Sequence, residues 1–403
     1  MLKDNCKHLK PCVIGLGYVG LPLFLNLARK YKSFGYDNNK KRILELKKGK
    51  DIYSEVKKKD LVNRNFNFTF EIEKIRKCNV FIVTVPTPVF KNKTPDLTHI
   101  KDICSKLSKL IKPKDVIIFE STVYPGLTEK FCVPILEKNS LLRNGKDFFV
   151  GYSPERVNPG DKKHKLKNIY KILAYPHKYK SNDIKKIYSL VSKKVIFTTN
   201  IEEAETAKVF ENIQRDVNIA LINEFYLICK KLKLNFKNIL NLASSKWNFI
   251  KFYPGLVGGH CLPVDPYYLS FKAIKSNYKP KILLAGRHVN DSMVKYVENA
   301  FLKFLKKKEL ISKKILLTGL TYKPEVADLR NSLSLKIFKN LKKSFNISGF
   351  DPTLSDAVAK KYQIYNKFNQ IKNFNIFLKL TNHKKINYYL SNKKNIIVFD
   401  PFE

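Results

Sequence analysis

The stretch FYPGLVGGHCLPVDPYYL, residues 252–269, sets a thiol beside a carboxylate. Cys261 follows Gly258, Gly259 and His260, and Asp265 lies four residues on, with Pro263 and Pro266 stiffening the segment. A cysteine that only fills a core needs no such turn, because a free thiol packs as a small hydrophobe. Two glycines are expected to leave room for a ligand beside the backbone, a setting that suits a nucleophile. A nearby ammonium would increase its thiolate fraction. Lys208 can supply one. Asn212, four residues further along a run with helical spacing, shares its face, so the pair could polarise a substrate oxygen. Taken alone, a helical lysine in so basic a chain reads first as a solvated face. His260 reads as structural, since neighbours in a tight turn rarely face each other.

A second constellation precedes it. Gly15-x-Gly17-x-x-Gly20, with Tyr18 and Val19 between the last two glycines, sits where an apolar run turns into a helical one. That is the context a dinucleotide fingerprint requires: the first glycine turns the chain, the second admits a pyrophosphate, and the third lets helix and strand pack closely. Asp37 ends the next strand, where an acid accepts from ribose hydroxyls and favours NAD over NADP. Arg42 pulls the other way, towards a 2′-phosphate. ESTVYPG (120–126) puts Glu120, Ser121 and Thr122 at a strand's C-terminal end, and GYSPERVNPGD (151–161) reads as a loop holding Glu155 and Arg156. Each of these, singly, could be a turn with a solvated acid.

The elements that must position these residues alternate. Strands are expected at 12–17, 33–37, 79–88 and 115–122, and helices at 18–31, 39–49 and 96–111, the last with Asp96 as N-cap. Near-continuous apolar strands separated by helices predict a doubly wound parallel sheet. From residue 202 to 232 the chain has neither Gly nor Pro and reads as one long helix, with further helices to about 308. Strand–helix alternation then returns in 313–324, 346–352, 373–380 and 395–401. The expected fold is α/β: a Rossmann-like domain over 1–200, a helical middle over 201–308 and a second Rossmann-like domain over 309–403, with the two outer domains alike in layout.

With 403 residues and 44% hydrophobic content, the chain can bury more than one core. Its net charge of +43 raises nucleic acid as a partner. The lysines, however, are scattered at the ends of apolar segments and form no block, so they read as solvated faces whose field would also draw in an anionic substrate. No apolar run is long enough to span a bilayer, the N-terminus lacks a signal peptide's apolar middle, and seven cysteines without paired or metal-type spacing suit a reducing cytoplasm. No metal site is expected.

Together the stretches VIGLGYVGLPL, VTVPTP, ESTVYPG, YSPERVNPGD, AKVFEN, GLVGGHCLPVDPYYL, AGRHVND, GLTYKP and DLRNS resemble, in order and over nearly the whole length, the nucleotide-sugar dehydrogenases of the UDP-glucose/GDP-mannose dehydrogenase superfamily. SKWNFIKFYPGLVGGHC and ENIQRDVNIALINE resemble most the branch acting on UDP-N-acetylglucosamine or UDP-N-acetylgalactosamine. The resemblance implies a C6 alcohol oxidised in two steps to a uronic acid for polysaccharide precursor synthesis, with NAD as acceptor and Cys261 passing through a thiohemiacetal and a thioester. It implies Lys208 and Asn212 at the reacting oxygen, Asp265 supporting a base or water, and Glu155 and Thr122 assisting hydrolysis. Gly15, Gly17, Tyr18, Val19, Gly20, Asp37, Arg42, Thr87, Thr122 and Arg330 would hold cofactor. Glu155, Arg156, Lys208, Asn212, Tyr253, Gly258, Arg287 and Lys323 would hold the UDP-sugar. It also implies a homodimer along the long helix, which carries Ile213, Val217, Ile219, Leu221 and Ile222. UDP-glucose remains an alternative substrate. A two-domain β-hydroxyacid dehydrogenase and a basic nucleic-acid-binding protein on an inactive scaffold remain competing readings.

Overall fold

A computed structural model describes residues 8–52, 56–61, 66–156 and 166–403. The chain divides into two compact units, Met1–Glu211 with Tyr267–Asn277, and Asn212–Pro266 with Tyr278–Glu403.

The first unit is built on eight strands: β1 (Pro11–Ile14), β2 (Phe34–Tyr36), β3 (Asn67–Thr69), β4 (Val80–Val83), β5 (Val116–Phe119), β6 (Phe149–Tyr152), β7 (Tyr170–Ala174) and β8 (Lys194–Thr198). Their order is β3-β2-β1-β4-β5-β6-β7-β8, and every neighbouring pair is parallel except β6–β7. Successive residues alternate between faces. Cys12, Ile14, Phe81, Val83, Ile117 and Phe119 enter one apolar cluster, while Val13, Val80, Ile82, Val116 and Ile118 enter the other. Both faces are covered, which is why these strands read as unbroken apolar runs. Strand order reverses between β1 and β4, the switch point beside which such sheets bind ligands.

Gly15 closes the turn there at φ +94°, its N–H donating to the Tyr36 carbonyl at 2.8 Å. Gly20 opens the helix Gly20–Ala28, where a Cβ would stand 1.8 Å from the Gly15 oxygen and 2.4 Å from Thr84 Oγ1.

The second unit holds β9 (Ile315–Thr318), β10 (Ile347–Phe350), β11 (Ile364–Tyr365), β12 (Ile376–Lys379) and β13 (Ile397–Phe399), all parallel in the order β11-β10-β9-β12-β13. This repeats the order of the first five strands of the other sheet. Gly319 reproduces the turn of Gly15, with its N–H on the Phe350 carbonyl at 3.0 Å. The long helix runs Ile201–Lys231, with acids Glu202 and Glu203 in its first turn and Lys230 and Lys231 in its last, each at the end the helix dipole favours. A second long helix spans Lys281–Lys307.

Expected elements are present but shorter. The strand expected over 79–88 ends at Val83, and the helix expected over 96–111 is Thr98–Leu107. Asp96 sits one position before the cap residue and accepts from the Thr98 N–H at 3.0 Å. The segment read as a loop over 151–161 begins inside β6; residues 157–161 of it lie outside the described residues. Among the described residues no helix is long and apolar enough to cross a membrane.

The crowding at Gly20 makes a direct prediction. Gly20→Ala should destabilise the protein by at least about 1–3 kcal/mol, the usual cost of overpacking, because the clash is with backbone. An unchanged midpoint in urea or thermal unfolding would show that the turn yields freely.

Candidate active site

In the first unit the glycine turn fits a dinucleotide. A Cβ on Gly17 would meet nothing within 4 Å, so the middle glycine leaves its backbone open on the outer side. Asp37 is half-buried at the end of β2, its Oδ2 accepting from the Leu16 N–H and its Oδ1 from the Asn39 N–H, both at 2.9 Å. Each oxygen keeps a lone pair for a ribose hydroxyl. Tyr18 and Val19 are half-buried on the same turn. Thr87 and Thr122 are brought together: Thr87 Oγ1 donates to the Thr122 carbonyl at 2.5 Å.

Arg42 corrects one expectation. It is 4% exposed, its Nε and Nη2 donate to the Leu16 carbonyl, and its Nη1 pairs with Asp51 at 2.8 Å. It braces the glycine turn from behind, and its guanidinium is not presented to a 2′-phosphate.

Glu155 lies just beyond β6 and is 9% exposed. Its Oε2 accepts from Lys171 Nζ at 3.2 Å, and its Oε1 from the Arg156 N–H at 2.8 Å. Arg156, expected to hold substrate, is committed to Glu211 through Nη2 at 2.7 Å and Nε at 3.3 Å. Lys208 is 7% exposed on the long helix, and among the described residues no carboxylate pairs with it.

In the second unit Cys261 is exposed, whereas Cys12, Cys78, Cys104, Cys132 and Cys229 are all buried. The Cys261 carbonyl accepts from the N–H groups of Val264 and Asp265, a tight turn that leads into the helix Asp265–Lys275. Asp265 is 1% exposed, and Asn212 Nδ2 donates to its Oδ2 at 2.6 Å. His260 turns to Asp328 instead, with Nε2 at 2.9 Å from Oδ2, in keeping with a structural role. Arg330 joins the same carboxylate at 2.8 Å and stays half in solvent. Lys323 lies in the same loop, partly buried, and Tyr253 is 64% exposed with Lys251 Nζ over its ring.

Two more expectations are corrected here. The glycines before Cys261 do not leave room for a sugar. A Cβ on Gly258 would lie 2.7 Å from the Asn331 carbonyl oxygen, and one on Gly259, at φ +97°, 2.7 Å from the Tyr322 ring. The space is taken by the 322–331 segment, so Gly258 serves close backbone packing. Arg287 is 2% exposed and bound by Asp216 Oδ1 at 2.6 Å and Asp291 Oδ1 at 2.5 Å, so it joins helices and is closed to substrate.

Residues 9–192 match the NAD binding domain of the UDP-glucose/GDP-mannose dehydrogenase family, residues 202–292 its central domain and residues 316–402 its UDP binding domain. The chain is 44% identical over 363 residues to a UDP-N-acetyl-D-glucosamine 6-dehydrogenase of Salmonella typhi, spanning 89% of this chain and 85% of that one. It is 45% identical over 354 residues to one of Pseudomonas aeruginosa, spanning 87% and 84%. The solved UDP-D-ManNAc dehydrogenase of Pyrococcus horikoshii superposes with a TM-score of 0.83 at 30% identity, over 94% of this chain and 90% of that one. A dinucleotide turn in one unit and a second nucleotide-type sheet in the other are thus the parts of an NAD-dependent nucleotide-sugar dehydrogenase. The chain belongs to the UDP-glucose/GDP-mannose dehydrogenase family. The two-domain β-hydroxyacid dehydrogenase reading falls away with that membership.

Sequence reasoning passed over Glu205, one turn before Lys208. Its buried carboxylate accepts from the N–H groups of Gly126 at 2.5 Å and Thr128 at 2.9 Å, fixing the loop that follows Thr122. Burial pushes this carboxyl up from 4.5 to about 7, against those bonds. The folded protein therefore holds the proton more tightly than the unfolded chain. The resulting stabilisation is fully present below pH 4.5 and is lost as pH rises through about 7. Over that window the loss should reach about 3 kcal/mol at most. In urea unfolding at pH 5 and pH 8, the wild type should lose more stability than Glu205→Gln; equal losses would remove Glu205 as the titrating group.

Proposed function

We propose that this protein oxidises the C6 alcohol of a UDP-N-acetylhexosamine to the uronic acid through a thioester on Cys261. The observation that carries the reading is the exposed Cys261 thiol in a turn whose Asp265 is held by Asn212, one helical turn beyond Lys208. The choice of sugar is supported by the 44–45% identity to UDP-N-acetyl-D-glucosamine 6-dehydrogenases. The product is a precursor for cell-surface polysaccharide, made in the cytoplasm.

NAD held at the Gly15–Gly20 turn, with Asp37, Thr87, Thr122 and Arg330 as further contacts, serves as the oxidant in both steps. The residues of the chain do the rest. Loss of two electrons and two protons from the alcohol leaves an aldehyde. The Cys261 thiolate adds to its carbon, and the oxygen gains the charge that Lys208 and Asn212 stabilise. Donors of this kind are worth about 3–4 kcal/mol each. Oxidation of the thiohemiacetal gives a thioester. Water, positioned by Asp265 and Thr122 and deprotonated by Glu155, then cleaves the carbon–sulfur bond and releases acid and thiolate. Lys323 and Tyr253 take part in holding the UDP-sugar. We assign these roles to a Rossmann-like domain (1–200), a helical middle (201–308) and a UDP-binding domain (309–403).

The assay is NAD reduction with a panel of UDP-sugars, counting NADH per acid. Two NADH per acid are expected, and Cys261→Ser should abolish acid formation. A site that bonds an acetamido group leaves polar atoms unpaired when the group is missing. UDP-N-acetylglucosamine or its galacto epimer should therefore exceed UDP-glucose at least about tenfold in kcat/KM. One NADH with free aldehyde would sink the thioester, and a preference for UDP-glucose would sink the choice of sugar.

A homodimer is part of this reading. Leu221, Phe225 and Ile228 recur at helical spacing on the long helix, Leu232 follows its last residue, and all four are exposed; Trp247 nearby in sequence is 92% exposed. A continuous exposed apolar stripe of this kind marks an interface. Ile213 and Ile222 face inward instead. Light scattering at micromolar concentration should give twice the chain mass; a monomer would exclude the dimer.

A further inference from the structure

Lys171, on β7, is 1% exposed, and a lysine ammonium is buried so deeply only when carboxylates face it. Two do. Its Nζ donates to Glu120 Oε2 at 2.7 Å and to Glu155 Oε2 at 3.2 Å, and also to the Pro154 carbonyl at 3.3 Å. Glu120 follows directly on β5, and its other oxygen accepts from the Tyr188 hydroxyl at 2.7 Å, on the helix Ser181–Val191. Burial opposes charge on Lys171, yet the two carboxylates outweigh it and hold the ammonium's pKa above the ordinary value. Burial pushes the Glu120 carboxyl up despite Lys171.

Glu155 is gripped from several sides. Beyond Lys171 and the Arg156 N–H, the next side chain is clamped: Arg156 pairs with Glu211 and donates through Nη1 to the Tyr170 carbonyl at 3.2 Å. Tyr170 and Lys171 are neighbours on β7, so that strand holds both members of the Glu155–Arg156 pair. Among the described residues, the charged and titratable groups about Glu155 include Lys171 from β7, Glu120 from the end of β5, Tyr188 from the helix behind them, and Arg156 beside it.

We propose that Lys171 is a positioning residue for the hydrolytic step, its ammonium fixing the Glu155 carboxylate at the end of the sheet, where it accepts a proton from the attacking water. This rests on the reading of Glu155 as the group that assists hydrolysis. In that step the water oxygen bonds to the acyl carbon, its proton passes to Glu155, and the carbon–sulfur bond breaks to release the Cys261 thiolate.

Stopped-flow NADH formation separates the two claims, because blocking hydrolysis spares the first two reductions. Glu155→Gln should keep a burst of two NADH per active site and lose steady-state rate by about a hundredfold or more, the usual worth of a general base. Lys171→Met is made together with Glu120→Gln, so that the buried cluster keeps its net charge, and is compared with Glu120→Gln alone. It should keep the burst and lose at least about tenfold in steady-state rate. The acidic limb of its steady-state profile should also move up by about one pH unit, since removing a neighbouring cation raises a carboxylate's pKa. Lys171→Arg should hold the limb in place. If Glu155→Gln turns over like the wild type, both claims fall. If Glu155→Gln stalls while the Lys171 pair matches Glu120→Gln in rate and acidic limb, Lys171 is not the positioning residue. Should the methionine variant not fold, Lys171→Gln in the same background drops the charge but keeps a donor, and must show the same shift.

Discussion

The hydrogen bond from Asn212 to Asp265 anchors the helix start behind the segment that presents the exposed Cys261 thiol. A stretch rich in glycine and proline has few side chains with which to hold itself, so its shape has to be imposed by neighbours. In the second unit this happens at four points. Asn223 exchanges two bonds with the backbone of Gly255, Asn331 does the same with Gly259, Asp328 holds His260, and Asn212 holds Asp265. Asn223 in turn bonds to Asn290, which bonds to Asp216, which pairs with Arg287. A buried arginine without its carboxylates would be costly, and with them it stiffens the scaffold behind the loop. Cys261 can therefore be exposed without being loosely held.

The two nucleotide-type sheets use one solution for different ends. In each, a carboxylate at the end of the second strand accepts N–H groups of the glycine turn: Asp37 from Leu16, and Asp351 from Leu320 and Thr321. Asp37 remains half-buried. Asp351 is fully buried and also engaged by His383 and Thr353. Burial alone would raise its carboxyl, but the bonds from His383 and Thr353 bring it below the ordinary range. A Cβ on Gly319 would meet the Thr381 oxygen at 2.2 Å, and one on its counterpart Gly15 the Thr84 oxygen at 3.0 Å, so both turns are packed at their first glycine. They differ two residues on: Gly17 has open space where a Cβ would be, whereas Thr321 is fully buried. The first turn thus keeps a half-buried acid and an open backbone, as a dinucleotide ribose and pyrophosphate require.

The chemistry-bearing residues were legible where their local context was unusual. A thiol among glycines and prolines and a glycine triplet between strand and helix stand out in any composition. The alternation of apolar runs likewise gave the two α/β domains and the long helix. What stayed hidden was set by tertiary contact. Lys171 is one of 77 Lys and Arg residues, and nothing in YKILA separates a buried ammonium from a solvated one. Glu205 and Glu211 looked like ordinary helix acids. Strands β6 to β8, FVGY, YKILA and KVIFT, lack the longer apolar surroundings that marked β4 and β5. Gly258 was noticed for the right reason, a missing side chain, but what fills the space is the protein's own Tyr322 and Asn331. Arg42 and Arg287 carry charge that the sequence cannot tell apart from ligand-directed charge, because their carboxylate partners Asp51 and Asp216 lie 9 and 71 positions away.

The central claim is that a covalent acyl intermediate forms on Cys261. Acid-quenching the wild-type enzyme during turnover with UDP-N-acetylglucosamine and NAD, followed by proteolysis and peptide mass analysis, tests it most directly. The expected result is a peptide containing Cys261 that carries the acyl group of the oxidised sugar and loses it to hydroxylamine. Turnover to the acid with that peptide unmodified, or with the acyl group on another residue, would contradict it.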